Sequence, residues 1–381
     1  MNTSISLCMI VRDEEEHLAE CLESVKGVVD EIIIVDTGSC DKTASIAQSF
    51  GAKVFFHKWE EDFSISRNIS LEHATGDWIL ILDADEALEE KSKTKLREST
   101  LKKEVLGYHV LMELHPDWTE NRILRLFINS PALRFKGVFH ERLTIPEHIY
   151  SKIVHSDIRI IHNPWCEEDS RRKFARNINL LKKHVSLYPD DIYQILDLIR
   201  LYLKNKELPE AERLLDRISL LLSRMGHKER RYKLNKAYYY LYKLTLLYQK
   251  NTDFSGIISL CEEALSVFPT SPLFLYETAK ICYKLKRYDS SIDYFRKCLD
   301  LGKDKDFDKT LIFPRDILGA MSLTGLGHCF FKKHNYKEAI RYFEKSYTIK
   351  KNKAVKAMLD VSRFLIKKQK KTEDSALSHK I

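Results

Sequence analysis

The 381-residue sequence predicts an α/β domain followed by an all-α array of helical repeats. Three observations carry that expectation. Four apolar, β-branched runs within the first 82 residues alternate with short amphipathic patterns, the signature of strand–helix–strand units. From about residue 190 onward the periodicity becomes helical and one helix-pair frame recurs. Charge divides in the same way: residues 1–170 sum to −12 and residues 171–381 to +20, within a total of +8. The acidic half suits divalent-metal binding. The basic half suits either an anionic partner or only a solvated helical surface, and no nucleic-acid partner is expected.

Composition narrows the class. Charged residues make up 31% and hydrophobic residues 44%, ordinary for a soluble globular chain, which excludes a wholly disordered or collagen-like protein. No apolar run approaches the ~18 residues of a membrane-spanning helix. The N-terminus reads as a strand, not as a signal peptide, so a cytoplasmic location is expected. The eight cysteines contain no Cys-x-x-Cys pair and read as reduced thiols, neither a disulfide framework nor a zinc site.

In order, strands are expected at 5–11, 31–36, 52–59 and 78–82. Helices are expected at 13–25, with Leu18, Cys21, Leu22 and Val25 on one face, at 41–50, opening with Asp41 as N-cap, and at 64–74. Apolar strands of this kind fit a parallel sheet covered on both faces, whose ligands sit at the strands' carboxyl ends. Three polar motifs fall there: Val11-Arg12-Asp13-Glu14, Asp36-Thr37-Gly38-Ser39 and Asp83-Ala84-Asp85-Glu86. Singly, each reads equally well as a turn with a helix cap. Together on one rim they read as a site. No Gly-x-Gly-x-x-Gly and no Walker A lysine loop is present, so the standard dinucleotide and P-loop sites are excluded. Two carboxylates at Asp83-x-Asp85 can hold Mg²⁺ or Mn²⁺, which bridges phosphate oxygens. Asp36-Thr37-Gly38-Ser39 also spells the aspartic protease signature. It occurs once, inside strand–helix patterning, whereas that chemistry needs two aspartates sharing a proton.

The order of these motifs, with Met9-Ile10-Val11-Arg12-Asp13-Glu14-Glu15, Val35-Asp36-Thr37-Gly38-Ser39, Trp59-Glu60-Glu61-Asp62-Phe63-Ser64-Ile65-Ser66-Arg67-Asn68 and Leu82-Asp83-Ala84-Asp85-Glu86, resembles family 2 glycosyltransferases over residues 5–165. The resemblance implies a Rossmann-like, GT-A type nucleotide-diphospho-sugar transferase domain, mostly inverting, that uses a nucleoside diphosphate sugar, typically a UDP-sugar, and Mg²⁺ or Mn²⁺. Phe135-Lys136-Gly137-Val138-Phe139-His140-Glu141, Ile160-Ile161-His162-Asn163 and Arg176-Asn177-Ile178-Asn179-Leu180 resemble a subgroup with a helical repeat tail. That subgroup includes bacterial peptide S-glycosyltransferases of bacteriocin clusters and enzymes of surface-glycan assembly. The resemblance implies that Asp36 accepts from the base edge near Val11 and Glu14, within the Gly38-Ser39 turn. It sets Arg67 against base or diphosphate, Asp83 on ribose or metal, and Asp85 on the metal.

Inverting transfer also needs a base to take the acceptor's proton. Glu141 is the candidate and His140 the second, as base or metal ligand. Glu141 reads alternatively as an ion-pair partner of Arg142 or Arg134. His162 reads either as a metal or diphosphate ligand or as structural, and Arg122 and Arg125 as ion-pair partners or diphosphate contacts.

In the second half, Leu326-Gly327 followed by Tyr336, Ala339 and Phe343 resembles the tetratricopeptide pattern. Leu208, Phe254, Tyr288 and Tyr336 hold the same place in the frame; Phe254 and Tyr288 lie 34 residues apart, and the other spacings, 46 and 48, imply insertions. The expected organisation is a catalytic domain at 1–165, a connecting helix at 166–187, repeats at 188–355 and a polar tail at 356–381, disordered from Lys367 to Ile381. The repeats serve as a groove for a peptide or glycan acceptor, as a homodimer surface, or as a buttress. Outside catalysis, the alternative is a non-catalytic scaffold; within it, a lipid-linked saccharide is an alternative acceptor.

Overall fold

Ile5, Leu7, Cys8 and Met9 are fully buried because their strand, β1 (Ile5–Val11), has hydrogen-bonded neighbours on both sides and apolar cover on both faces. The computed structural model describes residues 3–113, 117–162, 167–226, 231–251 and 254–378. Two compact units result: Met1–Pro116 with Glu120–Leu198, and Asp117–Thr119 with Ile199–Ile381.

In the first unit, β1 is followed by α1 (Leu18–Ser24), β2 (Glu31–Asp36), α2 (Thr43–Ser49), β3 (Lys53–Phe56), α3 (Phe63–His73) and β4 (Trp78–Ile81). Then come β5 (Glu86–Leu88), α4 (Ser92–Thr100), β6 (Gly107–Glu113), β7 (Asn121–Ile128), β8 (Arg134–Lys136), β9 (Arg142–Thr144), α5 (Glu147–Tyr150), β10 (Ile153–His162) and α6 (Glu167–Leu187). Eight strands form one sheet in the order β3-β2-β1-β4-β7-β6-β10-β5. The first four are parallel, as expected. The rest is mixed: β7 runs antiparallel to β4 and β6, and β5 antiparallel to β10. β8 and β9 form a separate hairpin. Core clusters lie on both faces, one around Leu7, Met9 and Leu80 and the other around Cys8, Ile33 and Ile79.

Helix α1 starts five residues later than expected. Asp13 takes a left-handed φ of 53°, which turns the chain before the helix begins. α2 likewise begins at Thr43, and Asp41 acts from outside it, its carboxylate accepting from the Thr43 amide (2.9 Å) and the Glu15 amide (3.1 Å).

The second unit begins within α7 (Ile192–Lys204) and runs through α8 (Leu208–Arg224), α9 (Tyr232–Gln249), α10 (Phe254–Val267), α11 (Pro272–Lys284), α12 (Tyr288–Asp304), a 3₁₀ turn (Arg315–Leu318), α13 (Ala320–Lys332), α14 (Tyr336–Ile349) and α15 (Lys353–Ser378). Leu208, Phe254, Tyr288 and Tyr336 each open the second helix of a pair, as the repeat frame predicts. Gly327 of α13 lets Phe343 of α14 pack against bare backbone; a Cβ there would lie 2.5 Å from that ring. Two boundaries differ from expectation. The units divide between Leu198 and Ile199, so the connecting helix and the start of α7 belong with the sheet. The tail is a helix through Ser378, because Val355, Leu359 and Ser362 recur on one face and bury there, Val355 and Leu359 against the Phe343 cluster. No helix among the described residues is long and apolar enough to cross a membrane.

Candidate active site

The carboxyl ends of β1 and β2 are stitched together by the acidic loops that follow them. Asp36, the last residue of β2, is 1% exposed. Its Oδ1 accepts from the amides of Gly38 (2.9 Å) and Ser39 (2.7 Å), a tight side-chain turn that Gly38 completes at φ 108°. The Ser39 hydroxyl accepts from the Asp13 amide (3.0 Å), and the Asp13 carboxylate accepts from the Cys40 amide (2.8 Å). Glu14 is held through its own amide, which donates to Thr43 Oγ1 (2.8 Å). The other Asp36 oxygen, Oδ2, is buried without a hydrogen-bond partner among the described residues. A buried carboxylate oxygen left in that state is costly unless a ligand donates to it.

α3 supplies the next layer. Asp62 caps it by accepting from the Ser64 amide (2.7 Å). Asn68 pins β8 through paired bonds with the Phe135 backbone (3.0 and 2.8 Å). Arg67 is 5% exposed, donates through Nε to Glu141 Oε1 (2.8 Å), and clasps Asp83. Arg125 of β7 closes the network on Asp83 Oδ2 (3.1 Å) and Glu86 Oε1 (2.6 Å). Lost hydration opposes ionisation of Asp83, but the guanidiniums of Arg67 and Arg125 outweigh it and hold the carboxyl well below the usual carboxylate range. Burial pushes Glu86 the other way, up to about 7, against the pull of Arg125.

Both oxygens of Asp83, the first carboxylate of the Asp83-x-Asp85 pair, are engaged by arginines. Asp85, 5% exposed, lies instead beside His162, with Oδ2 and Nε2 3.2 Å apart. The hydrogen bond that the His162 ring donates to the Asp85 carboxylate raises the His162 pKa against the opposing effect of burial. These are one oxygen and one imidazole nitrogen donor on one wall, a set that suits Mn²⁺ and accepts Mg²⁺. Among the described residues no cluster of three or more His, Cys, Asp or Glu is arranged around a metal position. An ion here would draw its remaining ligands from substrate oxygens and water, the usual habit of a phosphate-bridging cation.

A cleft of about 630 Å³ brings together Val11, Glu14, Arg67, Asp83, Asp85, His140, Glu141 and His162 of the expected set. Of the Asp36 turn, Thr37 lines the cleft, whereas Asp36, Gly38 and Ser39 are not among its lining residues. Glu141 is an ion-pair partner of Arg67. Arg125 is an ion-pair residue, and Arg122 bonds Glu120 (3.2 Å) and the Ser156 carbonyl, away from the cleft. Asn163 lies outside the described residues. Sequence reasoning passed over Trp59, Phe63 and Phe139, which give the cleft an aromatic wall; Trp59 and Phe63 meet edge to face at 4.7 Å. Trp59 and Phe63 lie in the Trp59–Asn68 motif and Phe139 in the Phe135–Glu141 motif, both quoted for the family resemblance with no role given to their aromatic rings.

Residues 6–145 match the glycosyl transferase family 2 model, and residues 274–304 and 322–353 match a tetratricopeptide repeat model. The chain carries a family 2 glycosyltransferase domain followed by tetratricopeptide repeats. The fold expected of that glycosyltransferase domain, GT-A type α/β, is the one the sheet adopts. Over 272 residues the chain is 36% identical to a TPR repeat-containing protein of Synechococcus elongatus, covering 68% of this chain and 66% of that protein. It is 27% identical over 198 residues to the prophage-derived glycosyltransferase SunS of Bacillus subtilis, covering 49% and 46%. An uncharacterized glycosyltransferase of Rickettsia felis is 36% identical over 92 residues, covering 24% and 32%. The chain thus matches two thirds or less of the length of these relatives.

Proposed function

We propose that the protein is an inverting glycosyltransferase that moves a sugar from a uridine diphosphate sugar to an acceptor peptide or glycan. The observation that carries the proposal is the pairing of Asp85 with His162 in the cleft of a family 2 glycosyltransferase domain. These two residues would hold a divalent ion, which would supply neutralisation of the diphosphate leaving group's charge. Asp36 Oδ2 accepts a hydrogen bond from the uracil edge, which supplies the partner that oxygen lacks. Arg67 and Arg125 fix Asp83 as an anion at the cleft wall, where it accepts from the ribose hydroxyls. Glu141, tied to Arg67 by Oε1, and His140 beside it line the same cleft, and one of them takes the acceptor's proton. Bacteriocin-like peptides with a Cys or Ser nucleophile fit the sequence resemblance, and a surface glycan is the second reading.

The test is calorimetry of UDP with Mn²⁺, followed by UDP release from UDP-glucose, UDP-galactose and UDP-N-acetylglucosamine. Micromolar UDP binding and turnover of one donor are expected. Absence of UDP binding, or tighter binding of a purine diphosphate, overturns the nucleotide assignment. Full turnover in EDTA overturns the metal.

A further inference from the structure

The loop that carries His140 is shaped from behind by the first turns of α7. Gly137 and His140 both hold left-handed backbone, at φ 109° and 49°. A left-handed φ is uncommon outside glycine, although histidine visits it more readily than most residues. The contacts to the loop come from α7, within the sheet-bearing unit. Gln194, 2% exposed, donates through Nε2 to the Phe139 carbonyl (2.8 Å). A Cβ at Gly137 would lie 3.3 Å from the same amide nitrogen, so Gln194 also seats against the loop's glycine. One turn on, Asp197 at 8% exposure sets Oδ1 3.2 Å from His140 Nδ1. The imidazole stacks on Phe139, with ring centroids 4.0 Å apart and planes at 26°. The ring is thus held by a carboxylate at one nitrogen and by an aromatic face, while His140 itself lines the cleft.

We infer that Asp197 is a positioning residue that fixes the orientation and tautomer of His140, and that His140 is the group that removes the acceptor's proton. This rests on the glycosyl-transfer reading above. With the Nδ1 proton donated to Asp197, the Nε2 atom carries the lone pair. As the acceptor's oxygen or sulfur forms its bond to the anomeric carbon, its proton passes to Nε2. The bond from that carbon to the diphosphate oxygen breaks, and its electron pair leaves with the nucleoside diphosphate. Asp197 stabilises the imidazolium that results, as a buried carboxylate does behind other catalytic imidazoles. Glu141 then serves the donor side, since its Oε1 holds Arg67, which holds Asp83.

The experiment compares Asp197→Asn, Asp197→Glu, His140→Gln and Glu141→Gln in the full chain, using whichever UDP-sugar the native protein turns over, with Mn²⁺. Asp197→Asn keeps size but offers the ring an amide. Its kcat should fall by about 10²–10⁴-fold, as for loss of a general base. UDP affinity by calorimetry should stay within threefold of native. Asp197→Glu should recover at least tenfold of the lost kcat. An Asp197→Asn protein with native kcat, or one that loses UDP binding as much as turnover, overturns the inference. So does a Glu141→Gln protein that loses all turnover with native UDP affinity while His140→Gln remains active.

A second readout needs no turnover. In ¹⁵N-histidine-labelled native protein, the His140 signals, identified by their loss in His140→Gln, should show the proton on Nδ1. Asp197→Asn should abolish that preference, and an unchanged tautomer counts against Asp197. If the native protein turns over no donor and binds no UDP, the glycosyl-transfer reading fails, and with it the role of His140 as base, while the tautomer still reports on Asp197.

Discussion

At the scale of single residues, the sharpest consequence is at Asp36. Asp36→Asn keeps an acceptor for the Gly38 and Ser39 amides but removes the charge from the buried oxygen. A hydrogen bond to a charged group is worth roughly 1.5–3 kcal/mol, so UDP should bind about 10–100-fold more weakly, measured by calorimetry. Glu31 gives a pH dependence of stability. Burial opposes its ionisation, but hydrogen bonds from Lys53 (2.7 Å), Ser6 (2.6 Å) and Thr75 (2.8 Å) prevail and bring its pKa down to about 2. A depressed folded-state pKa means that this stability is fully present above the unfolded value of ~4.3 and is lost as pH falls towards 2. Glu31→Gln should cost on the order of 2 kcal/mol at pH 7 and flatten the fall in melting temperature between pH 4.5 and 2. Residue types at strand ends were legible in the sequence; their pairings were not. Arg67 and Glu141 lie 74 positions apart, and His140 finds its carboxylate on a helix outside the expected catalytic domain. Such pairs follow from how elements pack, and no local spacing encodes them.

Elements were read best where the pattern is local. β1 and β2 fall where their β-branched runs predict, and four repeat helices open on the residues that share a frame position. The antiparallel insertion of β7 between β4 and β6 was not legible, because strand order depends on contacts across 40 or more residues that no periodicity reports. The repeat frame also predicts opposite outcomes for two helical glycines. Gly327→Ala drives a methyl into the Phe343 ring and should destabilise the repeat unit by about 1–3 kcal/mol. Gly256 in α10 has nothing within 4 Å of where a Cβ would sit. Gly256→Ala should therefore stabilise by roughly 0.5–1 kcal/mol through helix propensity. Denaturant melts of the two variants, followed by circular dichroism, check both signs.

For the whole molecule, two units with separate cores predict two transitions in calorimetry. UDP with Mn²⁺ at about 100 times its dissociation constant should stabilise the sheet-bearing unit by about 2.7 kcal/mol and leave the repeat transition in place. Asp85→Ala should remove the part of that gain that depends on Mn²⁺. A single transition, or equal shifts of both, would show that the two units unfold as one.

The position of β5 in the sheet has a consequence for the order in which the site is born. β5 follows Asp85 directly, yet its partner in the sheet is β10, whose last residue, His162, pairs in register with Glu86. A ribosome adding ~5–20 residues per second needs several seconds to travel from one strand to the other. During that interval β1 to β4 are already complete in the nascent chain, and the Asp36 turn can close. Asp85 must wait for its imidazole. The Asp36 turn can thus form before the pairing of Asp85 with His162, and a chain stalled before residue 162 carries the first without the second.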